Sequence, residues 1–300
     1  MSKRWIIVLA FAAIYVVWGS TYLAIRYAID TMPPLIMAGV RFLISGTLLY
    51  AWGRRTAPAP TAAEWRAGAI IGALLFLGGN GAVVLAEKTV PSGTAALLIA
   101  VEPLWVAMLD GLRTRTRPDG LRVAGLLLGL GGVAILVGPT AGGPLGGMIL
   151  ILLGSLTWAA GSVYGLRALR PRSPAMSAAV PMLTGGAILF AVGTVRGEWG
   201  GLSPAAFSTP SLLAFAYLVV FGSVVAFTAY SWLITNVSPT LVATYAFVNP
   251  VVAVFLGWAI GGEVVTLRTV VGAAVIVSGV VLITVGPTLW SLARQARMAE

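Results

Sequence analysis

A chain of 300 residues that is 59% hydrophobic and only 9% charged cannot clothe a water-soluble surface, because soluble chains carry about 25% charged residues. With a mean hydropathy of +0.97, most of its exterior must face lipid. It contains neither Cys nor His, which excludes disulfides, the usual ligands of zinc, copper, haem and iron–sulfur centres, and the commonest general base; no cofactor and no metal are expected.

A membrane-crossing helix needs about 20 mostly apolar residues. In chain order that window predicts ten spans, near 5–25, 35–52, 67–87, 93–110, 121–138, 147–167, 176–195, 211–234, 239–260 and 267–286. Turn-forming residues separate them, among them Pro33-Pro34, Pro91-Ser92-Gly93, Gly142-Gly143-Pro144, Pro171 to Pro174 and Ser238-Pro239. The first segment starts with Lys3-Arg4 but continues through Trp18, Tyr22 and Arg26 without a small-residue cleavage site, so a retained first span is expected rather than a signal peptide.

The net charge of +10 would point to nucleic acid in a soluble protein. With the N-terminus in the cytoplasm, fourteen of the nineteen Lys and Arg residues fall in cytoplasmic loops and tails. Only Arg26, Arg41, Lys88, Arg196 and Arg268 do not. That is the positive-inside signature. Both termini are expected in the cytoplasm, and no basic stripe remains for nucleic acid.

Residues near 8–138 resemble those near 146–285 at an offset of about 147, narrowing to 140 in the first helix of each half: Val248-Asn249-Pro250 falls on Val101-Glu102-Pro103, Gly272 on Gly125, and Trp158 on Trp18. Five spans per half means that the second half enters the membrane from the opposite side, the arrangement of secondary transporters whose substrate site lies near the midplane. The expected fold is an all-α integral membrane protein of ten transmembrane helices in two inverted five-helix repeats, 1–140 and 141–290, followed by a cytoplasmic tail, 291–300.

Val17-Trp18-Gly19-Ser20-Thr21-Tyr22, Ala38-Gly39-Val40-Arg41-Phe42, Gly79-Asn80-Gly81 with Ala86-Glu87, the Glu102-Pro103 and Asn249-Pro250 centres, and Gly261-Gly262-Glu263 together resemble the drug/metabolite transporter superfamily in its ten-helix EamA branch. Within it the chain looks most similar to YedA/YddG-type bacterial inner-membrane exporters. The resemblance covers essentially the whole chain and implies efflux of amino acids, aromatic ones included, and of related metabolites or amphiphilic toxic compounds.

Ionisable groups within a span cost several kcal/mol unless paired or hydrated. Glu102 lies close to the bilayer centre, and Pro103 leaves the carbonyl of Ile99 without its helical donor; Asn249-Pro250 repeats the pattern with an amide. Glu102 and Asn249 are expected to line one cavity, with Pro103 and Pro250 as helix breaks or hinges. Glu102 could instead be a protonated or paired structural residue. Arg41 could pair with Glu87 or Glu102, or hold a substrate carboxylate; Glu102, Arg41 and Glu87 are the coupling candidates. Phe11, Tyr15, Trp18 and Tyr22 share one face of the first span, and Trp158 with Ser162 and Tyr245 with Asn249 repeat an aromatic-plus-polar pairing. Such stripes line pathways or simply pack. Asn80 shares the face of Glu87. Gly68/Gly72, Gly125/Gly129 and Gly257/Gly261 stand at the spacing that lets helices approach closely.

These features favour a monomeric secondary transporter in the inner membrane, with small-molecule substrates that include cationic xenobiotics, working by alternating access and driven by protons or by diffusion. No Walker motif occurs. A lipid flippase of the same superfamily is the alternative and would need a lateral opening lined by polar groups. A membrane enzyme would have to work with isolated acids or a Ser/Lys dyad.

Overall fold

The computed structural model describes residues 2–114, 120–137, 145–200, 206–237, 242 and 245–284. Among them every regular element is helical and none is a strand. In chain order the helices are α1 (Lys3–Thr31), α2 (Pro34–Gly53), α3 (Ala62–Ala86), α4 (Ser92–Ile99, resuming as Glu102–Thr114), α5 (Gly120–Val137), α6 (Leu145–Gly165), α7 (Pro174–Val195), α8 (209–236), α9 (Tyr245–Ala259) and α10 (Leu267–Thr284). Six of them, α1, α2, α3, α6, α7 and α8, are long and apolar enough to cross a membrane, and shorter apolar stretches mark α4, α5, α9 and α10. The tail 291–300 and the side chains of Asp110 and Arg113 lie outside the described residues.

Local chemistry moves some boundaries. α1 runs past the expected residue 25 to Thr31, where Met32 becomes extended because a residue before proline disfavours the helical region. α3 begins at Ala62 and not at 67: Thr61 and Glu64 form a capping box whose side chains each serve the other's backbone N–H. The two prolines expected to break helices differ. α4 is interrupted at Ala100-Val101, just ahead of Pro103, whereas α9 stays helical through Pro250. Prolines inside membrane helices are tolerated where neighbouring groups take up the freed backbone.

Lipid gives helices no hydrophobic reason to associate, so close van der Waals fit has to do it, and small residues allow it. α2 packs on α7 and α5 on α10. A Cβ on Gly39 would sit 2.7 Å from the Phe190 nitrogen, and one on Gly279 would sit 2.6 Å from the Gly129 nitrogen and 2.7 Å from the Gly125 carbonyl. Gly72 meets the Pro181 carbonyl of α7 in the same way. Gly257 serves differently: its missing Cβ makes room for a carboxylate oxygen of Glu263.

The buried side chains form three clusters. The largest, around Phe42, Phe76, Leu189 and Leu218, joins α1, α2, α3, α7 and α8. A second, around Leu98, Leu104, Ile151 and Ile276, joins α4, α6 and α10. A third, smaller one is built on Ile14, Leu233 and Val242, with Trp18, Tyr230 and Tyr245 packed against it. Tyr22 touches the first two.

Candidate substrate site

Three helices widen into π turns: α1 at Ala13–Val17, α3 at Ala73–Asn80 and α8 at Leu218–Val225. A π turn leaves main-chain groups without their ordinary partners and is often found at functional sites. Trp18 leaves the first of these turns, and its indole N–H donates to the Gly222 carbonyl inside the third, at 3.3 Å. Around the indole stand Phe227 and Tyr230 of α8 and Tyr245 of α9, with ring centroids 5.2, 5.2 and 5.3 Å away, largely edge-on. Such edge contacts bring positive ring edges to negative faces. The helices can come this close because Gly19 has no Cβ to strike Val252, which would be 2.6 Å away.

Tyr245 joins this aromatic group to Glu102. Its hydroxyl donates to Glu102 Oε2 at 3.4 Å, and Glu102 is 8% exposed. Tyr22 and Tyr230 also lie within electrostatic range of that carboxylate. Gly222 leads to the other charge. A Cβ there would lie 3.1 Å from Arg41 Nη2. Arg41 is 3% exposed; its Nε donates to Ser223 Oγ at 2.9 Å, and its guanidinium sits 4.7 Å over the Phe42 ring. No carboxylate among the described residues pairs with it. The expected pairing of Arg41 with Glu87 or Glu102 is therefore not formed, because Ser223 and the Phe42 ring take its place.

The structure thus brings together Trp18, Tyr245 and Glu102, with Tyr22 and Arg41 adjoining. Asn249 is occupied elsewhere: with its amide oriented to satisfy its surroundings, the nitrogen donates to the carbonyls of Ile14 (3.3 Å), Tyr15 (3.2 Å) and Tyr245 (3.3 Å). Trp158 packs on Gly79, whose Cβ would be 2.6 Å from the indole Cε3, and it makes no ring contact with the Trp18 group among the described residues. Asn80 follows Gly79 in α3, and Ser162 lies one turn beyond Trp158 in α6; both are half-buried. Phe227 and Tyr230 join the site from α8; they stand three residues apart, a shorter version of the aromatic spacing that marks α1, whereas nothing in the sequence marks Ser223.

Two cavities lie outside this group. One of about 580 Å³ sits between α3, α4 and α6, with Arg66 and Arg167 in its wall. The other, about 410 Å³, is a groove between α9 and α10 lined by Val254, Phe255, Trp258 and Ala273, with Thr269 its one hydroxyl-bearing residue.

At the end of the bundle holding Thr31 and Ser92, two glutamates tie the halves together. Glu198 Oε2 accepts from the Leu35 and Ile36 N–H groups at the start of α2, at 2.9 and 3.0 Å. Glu263 accepts from Ser92 N, Ser92 Oγ and Gly93 N at the start of α4, and from Arg26 of α1 at 2.8 Å. Carboxylates are favoured at helix N-termini because four N–H groups there lack helical partners. Each glutamate follows a glycine with positive φ, Gly197 at 74° and Gly262 at 64°. A side-chain-bearing residue adopts that conformation only at a cost.

The described helices, six of them long and apolar enough to cross a membrane, enclose a buried cluster of aromatic rings with one carboxylate and one guanidinium. The EamA-like transporter family model matches the chain twice, over residues 4–138 and 145–285, and the chain belongs to that family. It is 43% identical over 291 residues, 94% of this chain and 91% of the other, to the uncharacterized inner membrane transporter YedA of Escherichia coli strain K12. It is 24% identical to an uncharacterized transporter of Archaeoglobus fulgidus, covering 94% and 98% of the two chains. A WAT1-related chloroplastic protein of Arabidopsis thaliana matches at 25% identity over 89% of this chain and 66% of its own length. A solved crystal structure superposes with a TM-score of 0.65 at 22% identity, covering 98% and 99% of the chains. The protein is a multi-pass transporter of the inner membrane.

Proposed function

We propose that this transporter exports amino acids and related metabolites by alternating access, with Trp18, Tyr22, Tyr245, Glu102 and Arg41 forming one central site. One observation carries the reading. Among the described residues, a buried guanidinium without a carboxylate partner and a buried carboxylate held by one phenol are linked through Gly222, Trp18 and Tyr245. Unpaired charges in a span are costly and mark the substrate path. A zwitterion would satisfy both, its carboxylate on Arg41 and its ammonium on Glu102, with the rings meeting an apolar or aromatic side chain.

The halves 1–140 and 141–290 act as inverted repeats in this proposal. The pairing of α2 with α7 and of α5 with α10 supports it, since a two-fold axis brings equivalent elements into contact with each other. The N-terminus lies in the cytoplasm, so the end closed by Glu198 and Glu263 faces outward and the 580 Å³ cavity faces inward. A lipid flippase is disfavoured by the α9–α10 groove, which offers a headgroup little beyond the Thr269 hydroxyl.

The test is counterflow in proteoliposomes with labelled amino acids, their carboxamides and methylated bipyridinium compounds, with and without a proton gradient. Amino acids should exchange, and Arg41→Gln should reduce exchange of the acids by at least tenfold relative to the carboxamides. If wild-type protein exchanges bipyridinium compounds but no amino acid, the zwitterion reading fails.

A further inference from the structure

The acids of Ala86-Glu87 and Gly261-Gly262-Glu263 lie in one cluster around Arg26. Glu263 binds Arg26, Ser92 and Gly93 as described above, while Tyr27 donates to the Ile260 carbonyl at 3.2 Å and strengthens the same closure. Glu87 stands at the end of α3, 4% exposed, and neither of its carboxylate oxygens has a hydrogen-bond partner. The charges acting on it are Glu263 and Arg26, and Tyr22 of α1 lies within range of its own. α2 and α6 also pack on this end of α3; the one charged residue of α2 is Arg41, held by Ser223, and α6 has no charged residue. The neighbouring Lys88 is exposed.

A buried carboxylate with neither a cation nor a donor is not kept charged; it takes a proton. The closed cluster is then neutral, one guanidinium against one carboxylate. Among the described residues the one cation acting on Glu87 is Arg26, which Glu263 now holds. We propose that Glu87 is a proton-binding site that operates a latch of Arg26 and Glu263 on the outer end of the transporter. With Glu87 protonated, Arg26 stays on Glu263 and α1, α4 and the α9–α10 turn are clamped together. When the Glu87 O–H bond breaks, the proton passes to external water and the electron pair stays on the carboxylate. That carboxylate competes for Arg26, and the clamp loosens.

The proposal rests on the reading of this end as an outward gate, but its test needs no substrate. The closed state binds one proton more than the open state, so acid stabilises closure and rising pH favours opening, by up to about tenfold per pH unit. The chain has no native Cys, so Asp30→Cys and Val264→Cys place one spin label on each side of the latch. Double electron–electron resonance on the labelled protein in lipid nanodiscs between pH 5.5 and 8.5 should show a longer-distance population that grows at least fivefold with pH. In the Glu87→Gln background, which mimics the neutral acid, the short distance should persist at every pH. In the Glu263→Gln background the long distance should dominate throughout. A parent distribution that ignores pH, a Glu87→Gln protein that titrates like the parent, or a Glu263→Gln protein that stays closed would each overturn the latch. A pH-silent gate in a protein that exchanges amino acids sinks the latch alone, whereas a working latch in a protein that exchanges none sinks the substrate reading alone.

Discussion

The Asn249 amide reaches the carbonyls of Ile14 and Tyr15 in the π turn of α1 and that of Tyr245 in its own helix. The Ile14 and Tyr15 carbonyls also receive the Trp18 backbone N–H, so the amide reinforces the π turn and its own polar nitrogen is satisfied at a position 7% exposed. Asn249→Leu keeps the branching at Cγ, with a somewhat larger side chain, and removes the donors. The expected loss is about 1–3 kcal/mol, read as a clear drop in the thermal unfolding temperature of the purified protein. Tyr245→Phe should behave in the opposite way. It removes one donor from Glu102 while keeping the ring against Trp18, so stability should hold while KM for amine-bearing substrates rises severalfold in counterflow. The sequence pointed to Asn249 and Glu102 through the same Pro-containing pattern, and nothing in it could show that one side chain turns to a neighbouring backbone and the other to a phenol. Trp158 is a similar case: its match to Trp18 is visible in the chain, but its seat on Gly79 depends on how α6 crosses α3.

Helix positions were largely legible because apolar length and turn residues are local properties, and the misplaced starts and ends trace to local chemistry as well. The π turns were not legible. No residue type demands them, and they arise where packing on another helix favours an extra residue in the turn. Glycine spacing marked Gly125 and Gly129 for close approach, and the structure supplies the partner, Gly279 of α10, with distances that can be tested. Gly279→Leu would drive a side chain into the backbone of α5 at Gly125 and Gly129, so little folded protein should survive size-exclusion chromatography. Gly262→Ala is subtler. With φ at 64°, an alanine there costs about 1–2 kcal/mol and misdirects Glu263. The purified variant should lose stability at pH 5.5, and if the latch works as proposed it should lose less at pH 8.5, where the clamp is already weakened.

At the scale of the whole molecule, charge does two jobs that the composition alone does not separate. Most of the 19 cations are placed by the sequence in loops and tails on one predicted side, while Arg41 is buried inside the helical bundle and Arg26, exposed at the bundle end, is held by Glu263. The first set bears on orientation, since positively charged loops resist translocation; the second bears on gating and binding. Reversing the orientation would put the Glu87 cluster in contact with the cytoplasm and direct its proton inward, so the sidedness of the chain decides what the latch senses. Single cysteines settle it without interference from native thiols. Val264→Cys is 83% exposed in the parent residue and belongs to the α9–α10 turn, whereas Ser2→Cys precedes α1. A membrane-impermeant maleimide should label the first in intact cells and the second only after permeabilisation. The reverse pattern would turn the molecule over, leave the geometry of the latch unchanged, and make it a sensor of cytoplasmic pH.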